Sequence, residues 1–106
     1  MDLILFHDRL YVAKDLLKSK RKVLKNLKQG KLQPGVYVIT LPLGDEDMLD
    51  IYPSYVLLQK VYREQEMTVV GIAGERSSAF SLVEKMALDC LRENSNANIR
   101  AYFENK

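Results

Sequence analysis

Apolar residues come in four kinds of run along this chain, and each predicts an element. The run "LILF" (3–6) is short and unbroken, as a buried strand would be. From Asp8 to Gln29 apolar residues recur at helical spacing, and Gly30 stands where a helix terminator is expected, with Pro34-Gly35 beyond it. "VYVITL" (36–41) is rich in β-branched and aromatic residues and reads as a strand, followed by a loop over "PLGDED" (42–47). Between Pro53 and Arg63, Tyr55, Leu58 and Tyr62 lie at helical spacing, and Pro53 suits a first helical turn. "MLDIY" (48–52) fits either a helical turn or a short strand paired back on residues 36–41. "MTVVGIA" (67–73) is apolar without alternation, which predicts a strand buried on both faces. A helix from Ser77 to Glu93, a loop at "SNAN" (95–98) and an alternating strand "IRAYF" (99–103) complete the chain.

The order strand, helix, strand, helix, strand, helix, strand predicts one α/β domain over residues 1–106. It would be a compact three-layer βαβαβαβ arrangement with about four mainly parallel strands and right-handed crossovers. If residues 48–52 are a strand, the alternative is an α+β fold with a hairpin formed by residues 36–41 and 48–52. A chain of this length holds a sizeable core without disulfides or metal. Its one cysteine, Cys90, fits a reducing compartment, and the N-terminus lacks the basic start and long apolar run of a signal peptide or membrane span. The expected location is cytoplasmic, away from membranes.

Charge changes the picture. Residues 1–31 carry nine Lys/Arg and three acids, a balance of +6, while the remainder carries seven and eleven, a balance of −4. On a helical projection Val12, Ala13, Leu16, Leu17, Val23, Leu24 and Leu27 fall in one arc of roughly 140°. Lys14, Lys18, Arg21, Lys22, Lys25 and Lys28 fall in a separate arc of roughly 120°, with only Lys20 on the apolar side. Such a stripe can follow a phosphate backbone or simply be a solvated face. Nucleic-acid binders of single strands add aromatic platforms, and here only Tyr11 lies near the stripe.

In a parallel sheet the residues after each strand would share one edge: His7-Asp8-Arg9, Gly44 to Asp47, and Gly74 to Ser78. Gly74, Arg76, Ser77 and Ser78 form a candidate anion site, because a helix starting there would aim free amides at the crevice. A turn with a serine cap explains the same residues. The dinucleotide glycine fingerprint, the Walker A loop, H-E-x-x-H, G-x-S-x-G and C-x-x-C are absent. Cys90 falls on the apolar arc of its helix with Ala79, Val83, Met86 and Ala87, which makes it a core residue rather than a partner of His7. The sequence calls for no cofactor, metal or catalytic residue. Tyr52, Tyr55, Tyr62 and Tyr102, with an alternating last strand, point to a protein partner or a homodimer. The favoured reading is a non-enzymatic binding or protein-interaction module. The alternatives are a nucleic-acid binder using helix 10–28, and an enzyme joining His7, an acid of 45–47 and Arg76.

Overall fold

The computed structural model describes residues 4–42, 49–95 and 98–104. Strand β1 spans Ile4–Val12, a 3₁₀ helix Lys14–Ser19, and helix α1 Lys20–Lys28. Strands β2 (Tyr37–Thr40) and β3 (Asp50–Pro53) follow, then a second 3₁₀ helix (Ser54–Leu58) and one turn of helix α2 (Lys60–Arg63). Strand β4 (Met67–Ala73), helix α3 (Arg76–Asn94) and helix α4 (Ile99–Glu104) complete the molecule. The four strands form a single mixed sheet in the order β1-β4-β2-β3.

The expected mainly parallel sheet is therefore corrected. Only β1 and β4 run parallel, while β2 is antiparallel to both β3 and β4. The reason is the length of the connections. A parallel return needs a crossover of about a dozen residues or more, usually a helix, whereas an antiparallel one needs only a turn. Residues 41–49 are too few for the former, so Val38 pairs with Tyr52 and Ile39 with Ile51 in a hairpin. This pairing corresponds, over residues 50–52, to the hairpin of the α+β alternative. The helix expected over Pro53–Arg63 is also divided. Pro53 closes β3 opposite Tyr37, and Gln59, extended at φ −70° and ψ 142°, separates the 3₁₀ turn from α2.

Two other boundaries move for identifiable reasons. β1 continues to Val12 because its pairing with β4, interrupted after Phe6↔Val69, resumes at Tyr11↔Gly71. Residues 7–10 bulge out opposite Val70, and the Arg9 amide donates to Nδ1 of His7 at 2.9 Å across the bulge. The helix expected from Asp8 thus starts six residues later, as the 3₁₀ helix, with Val12 ending the strand and Ala13 standing between the two. The last segment, expected as a strand over residues 99–103, is helix α4. Ile99, Tyr102 and Phe103 stand at i, i+3 and i+4, the spacing of one helix face, and Tyr102 and Phe103 are buried. Asn98 caps it, its side-chain oxygen accepting from the Ala101 amide at 3.0 Å. The βαβαβαβ order fails with it.

Adjacent residues of a strand face opposite sides, and in β4 the alternation is reset at Val70, where the register against β2 shifts between Thr40↔Val69 and Ile39↔Gly71; the core divides accordingly. Val38, Val69 and Ile72 join Leu16, Val23 and Leu27 in one apolar cluster. Ile39, Val70 and Ala73 join Ala79, Met86, Cys90, Tyr102 and Phe103 in the other. The central strand β4 is closed to solvent on both faces, as its unbroken apolar run predicts. Tyr52 and Tyr62 pack edge to face at 5.4 Å against the first cluster, and Tyr102 is buried, so of the four tyrosines only Tyr55 stays exposed.

Thr40 lies at the end of β2 with no exposure, and its hydroxyl has no hydrogen-bond partner among the described residues. An unmatched buried hydroxyl costs about 1–3 kcal/mol. Thr40→Val, which keeps the shape, is expected to raise stability by about 1 kcal/mol. A urea midpoint that stays put or falls would show that the hydroxyl is satisfied.

Candidate functional site

The first 3₁₀ helix and α1 are oriented by what they bury. Leu16, Val23 and Leu27 point into the first core cluster, which turns the other side of both elements outward. Lys14, Lys18, Arg21, Lys22, Lys25 and Lys28 are all exposed, Lys14 on the side of a groove that it shares with Asp15 and Glu75. Among the described residues none of the six forms an ion pair with a carboxylate. The Lys28 ammonium lies 5.6 Å from the ring centre of Phe6, and Lys22 borders a shallow cleft of about 320 Å³ with Asn26 and Gln33. Leu17, expected on the apolar arc, is 58% exposed because it sits in the 3₁₀ segment, whose turn is tighter than the 100° per residue of an α-helix.

Asp15, the acid within this stretch, is engaged by the turn before α3. Its Oδ1 accepts the Gly74 amide at 3.0 Å and its Oδ2 accepts the Ser78 hydroxyl at 2.8 Å. A Cβ at position 74 would come within 3.0 Å of the Asp15 carboxyl carbon, so glycine is what admits the carboxylate. Gly74 and Ser78 of the candidate anion site therefore converge on an anion supplied by the chain itself, beside the N-terminus of α3 where negative charge is favoured. Arg76 and Ser77 do not join them. The Arg76 guanidinium lies 5.7 Å from the Phe80 ring centre, and Ser77 reaches Glu75 at 3.5 Å. A groove of about 550 Å³ beside this turn is lined by Asp15 and Glu75 as well as by Lys14 and Lys85.

On the other face a polar network joins β1, α3 and α4. The Tyr11 hydroxyl donates to Asp89 at 2.6 Å and lies 2.9 Å from the Tyr102 hydroxyl, which also reaches Glu93 at 3.3 Å. Arg9 pairs with Glu93 at 3.2 Å and stacks 4.7 Å above the Tyr102 ring, and Lys85 pairs with Asp89 at 3.2 Å. Arg9, Tyr11, Asp89, Glu93 and Tyr102 line a cleft of about 340 Å³. Burial, then the hydrogen bond to Asp89, pushes the Tyr11 phenol far above its ordinary value. The same hydrogen bond, helped by Lys85 and Arg92, holds the Asp89 carboxyl below the usual carboxylate range. At neutral pH the phenol is thus a fixed donor and the carboxylate a fixed acceptor. Neither is poised to exchange a proton, and the network fastens elements together. Sequence spacing shows only its local pairs, Lys85–Asp89 and Arg92–Asp89.

Tyr11→Phe is expected to destabilise the protein by about 1.5–3 kcal/mol at neutral pH, since the bond lost is to a charged group. Asp89 titrates lower in the folded state than in the unfolded one, so its contribution is present above the unfolded carboxylate range. It is lost as pH falls through the folded value. The gap between wild type and Tyr11→Phe should therefore narrow below about pH 4 in urea titrations. A gap independent of pH would remove Asp89 from the account.

His7, Cys90 and Arg76 are not brought together. Because His7 Nδ1 accepts from the Arg9 amide, Nε2 carries the hydrogen and donates to the Phe103 carbonyl. Cys90 is fully buried in the second cluster, and burial pushes its thiol up. His7 is bonded to Phe103 of α4 and to the amide of Arg9, whose side chain pairs with Glu93 near the end of α3, while Arg76 stands at the start of that helix, about 25 Å from Glu93 along its axis. Asp45, Glu46 and Asp47 fall outside the described residues. Among the described residues no group of three His, Cys, Asp or Glu is arranged to hold a metal ion, and no helix is long and apolar enough to cross a membrane. Comparison with protein-family models, with curated proteins and with solved structures finds no match for this chain.

Proposed function

We propose that this protein is a binding module that holds the phosphate backbone of a nucleic acid on the face formed by residues 14–28. The observation that carries this reading is six exposed cations on one short stretch with no carboxylate paired to them among the described residues. Cations that structure does not use are available to displace counterions from a polyanion. The turn at Gly74–Ser78 is a weaker candidate for anion binding, since an incoming phosphate would compete with Asp15 for the Gly74 amide and the Ser78 hydroxyl. An enzyme built on His7, an acid of 45–47 and Arg76 is disfavoured by the separation of His7 from Arg76.

Replacing Arg21 and Lys25 together by glutamate is expected to weaken nucleic-acid binding at least tenfold at low salt, with little change in thermal midpoint because both residues are exposed. Fluorescence anisotropy with a labelled oligonucleotide measures this. Equal affinity for the two proteins would refute the assignment of the face.

A second reading, self-association, is favoured by α3. Phe80, Leu88 and Leu91 are 50%, 59% and 47% exposed and project within about 80° of one another around the helix. Sedimentation equilibrium at high concentration tests this reading, and a single monomer mass would reject it.

A further inference from the structure

We infer that the ligand of the basic face is a duplex, gripped by its rows of phosphates, and not a single strand. The inference rests on the proposed nucleic-acid reading and follows from where the aromatic rings are. Proteins that hold single strands stack successive bases on successive rings beside a cationic groove. Tyr11, the ring nearest the stripe in sequence, is bound to Asp89 and Tyr102 on the α3–α4 side of the sheet. Phe6 is partly buried and lies beneath the Lys28 ammonium. Tyr55, 52% exposed on the second 3₁₀ helix, is one ring where a row is needed.

What remains along this stretch is exposed charge, six cations between Lys14 and Lys28. The 3₁₀ helix and α1 give a contour of about 25 Å. A duplex offers one negative charge per about 1.7 Å of axis, against about 3.4 Å along one of its strands, so a surface that binds by charge alone favours it. Of the three amide side chains along residues 14–33, two are held within the protein and Gln29 alone is exposed. Asn26 is partly buried and donates to Gln33 at 3.4 Å, and Gln33 is buried with its amide on the Val23 carbonyl. Contacts to phosphate carry no sequence information directly, so binding through these cations is expected to be equal for unrelated sequences.

The experiment titrates the protein into labelled duplex DNA, duplex RNA and the matching single strands, each about 20 nucleotides long, from about 50 to 200 mM salt. Two unrelated sequences are used. The expected result is duplex binding at least tenfold tighter than single-strand binding, equal for both sequences within about twofold. The log–log salt slope should be no steeper than about −5, the limit for six contacts. Tyr55→Ala should change nothing. Single strands bound as tightly as duplexes, a loss of single-strand affinity in Tyr55→Ala, or a strong sequence preference would each overturn the inference. In those cases the basic face would still stand as the site if Arg21→Glu/Lys25→Glu abolished binding. No binding to any of the four nucleic acids would overturn both the inference and the reading beneath it.

Discussion

Phe103→Ala lowers the stability of the fold by about 3–5 kcal/mol, the expected cost of emptying a large buried aromatic site. For a domain whose total stability is on the order of 5–15 kcal/mol this is a major fraction. Phe103 is 1% exposed and meets three rings: His7 at 5.1 Å, Tyr102 at 5.1 Å and Tyr11 at 6.1 Å between centres. Its carbonyl also takes the His7 Nε2–H bond. Helix α4 has six residues, too few to persist without packing, so losing the ring removes what holds the helix in place. Urea unfolding followed by circular dichroism measures the effect. A loss under about 1 kcal/mol would mean that α4 is not part of the cooperative core.

Gly71→Val comes next, at about 3 kcal/mol. A Cβ there would lie 2.9 Å from Met86 Cε and 3.0 Å from Ile39 Cδ1, inside contact distance in the middle of the central strand. The clash with Met86 involves the flexible end of its side chain, whereas Ile39 is held in β2 and fully buried. Gly71→Ala is accordingly milder. Gly71→Val combined with Met86→Ala should be more stable than the sum of the two single losses predicts, because the cavity of one receives the methyl groups of the other. Strict additivity would show that Met86 is not the residue being struck.

How far these contacts can be read from the chain depends on how local their causes are. The span of α3 is legible to within a residue, and so is the left-handed Gly30 after α1, at φ +69°. So is the two-sided burial of β4, because an unbroken "MTVVGIA" has nowhere to put a solvent face. The direction of β2 is not legible from its own residues, since "VYVIT" fits either orientation. What decides it is the short connection to β3 and the place β4 leaves beside it. In the last segment "IRAYF" satisfies a period of two and a helix face equally, and Asn98 as a cap was the tie-breaker in plain sight. Of the candidate surfaces, the cations of residues 14–28 are legible as a count and a spacing. The partner of the Gly74 turn is not, because Asp15 stands 59 residues earlier in the chain and no local pattern links them. The Tyr11–Asp89 bond is hidden for the same reason, at a separation of 78 residues.

The pairing of β1 with β4 has a consequence for the speed of folding. The β2–β3 hairpin joins near neighbours and can close within about 1–10 μs. Ile4, by contrast, must find Met67 across about three fifths of the chain, and the loop entropy of that meeting is lost before any of its contacts form. The barrier to folding is therefore expected to lie at the docking of the first strand on a preassembled β4–β2–β3 sheet. Substitutions in the β2–β3 hairpin should slow refolding, while those in the β1 bulge should chiefly hasten unfolding.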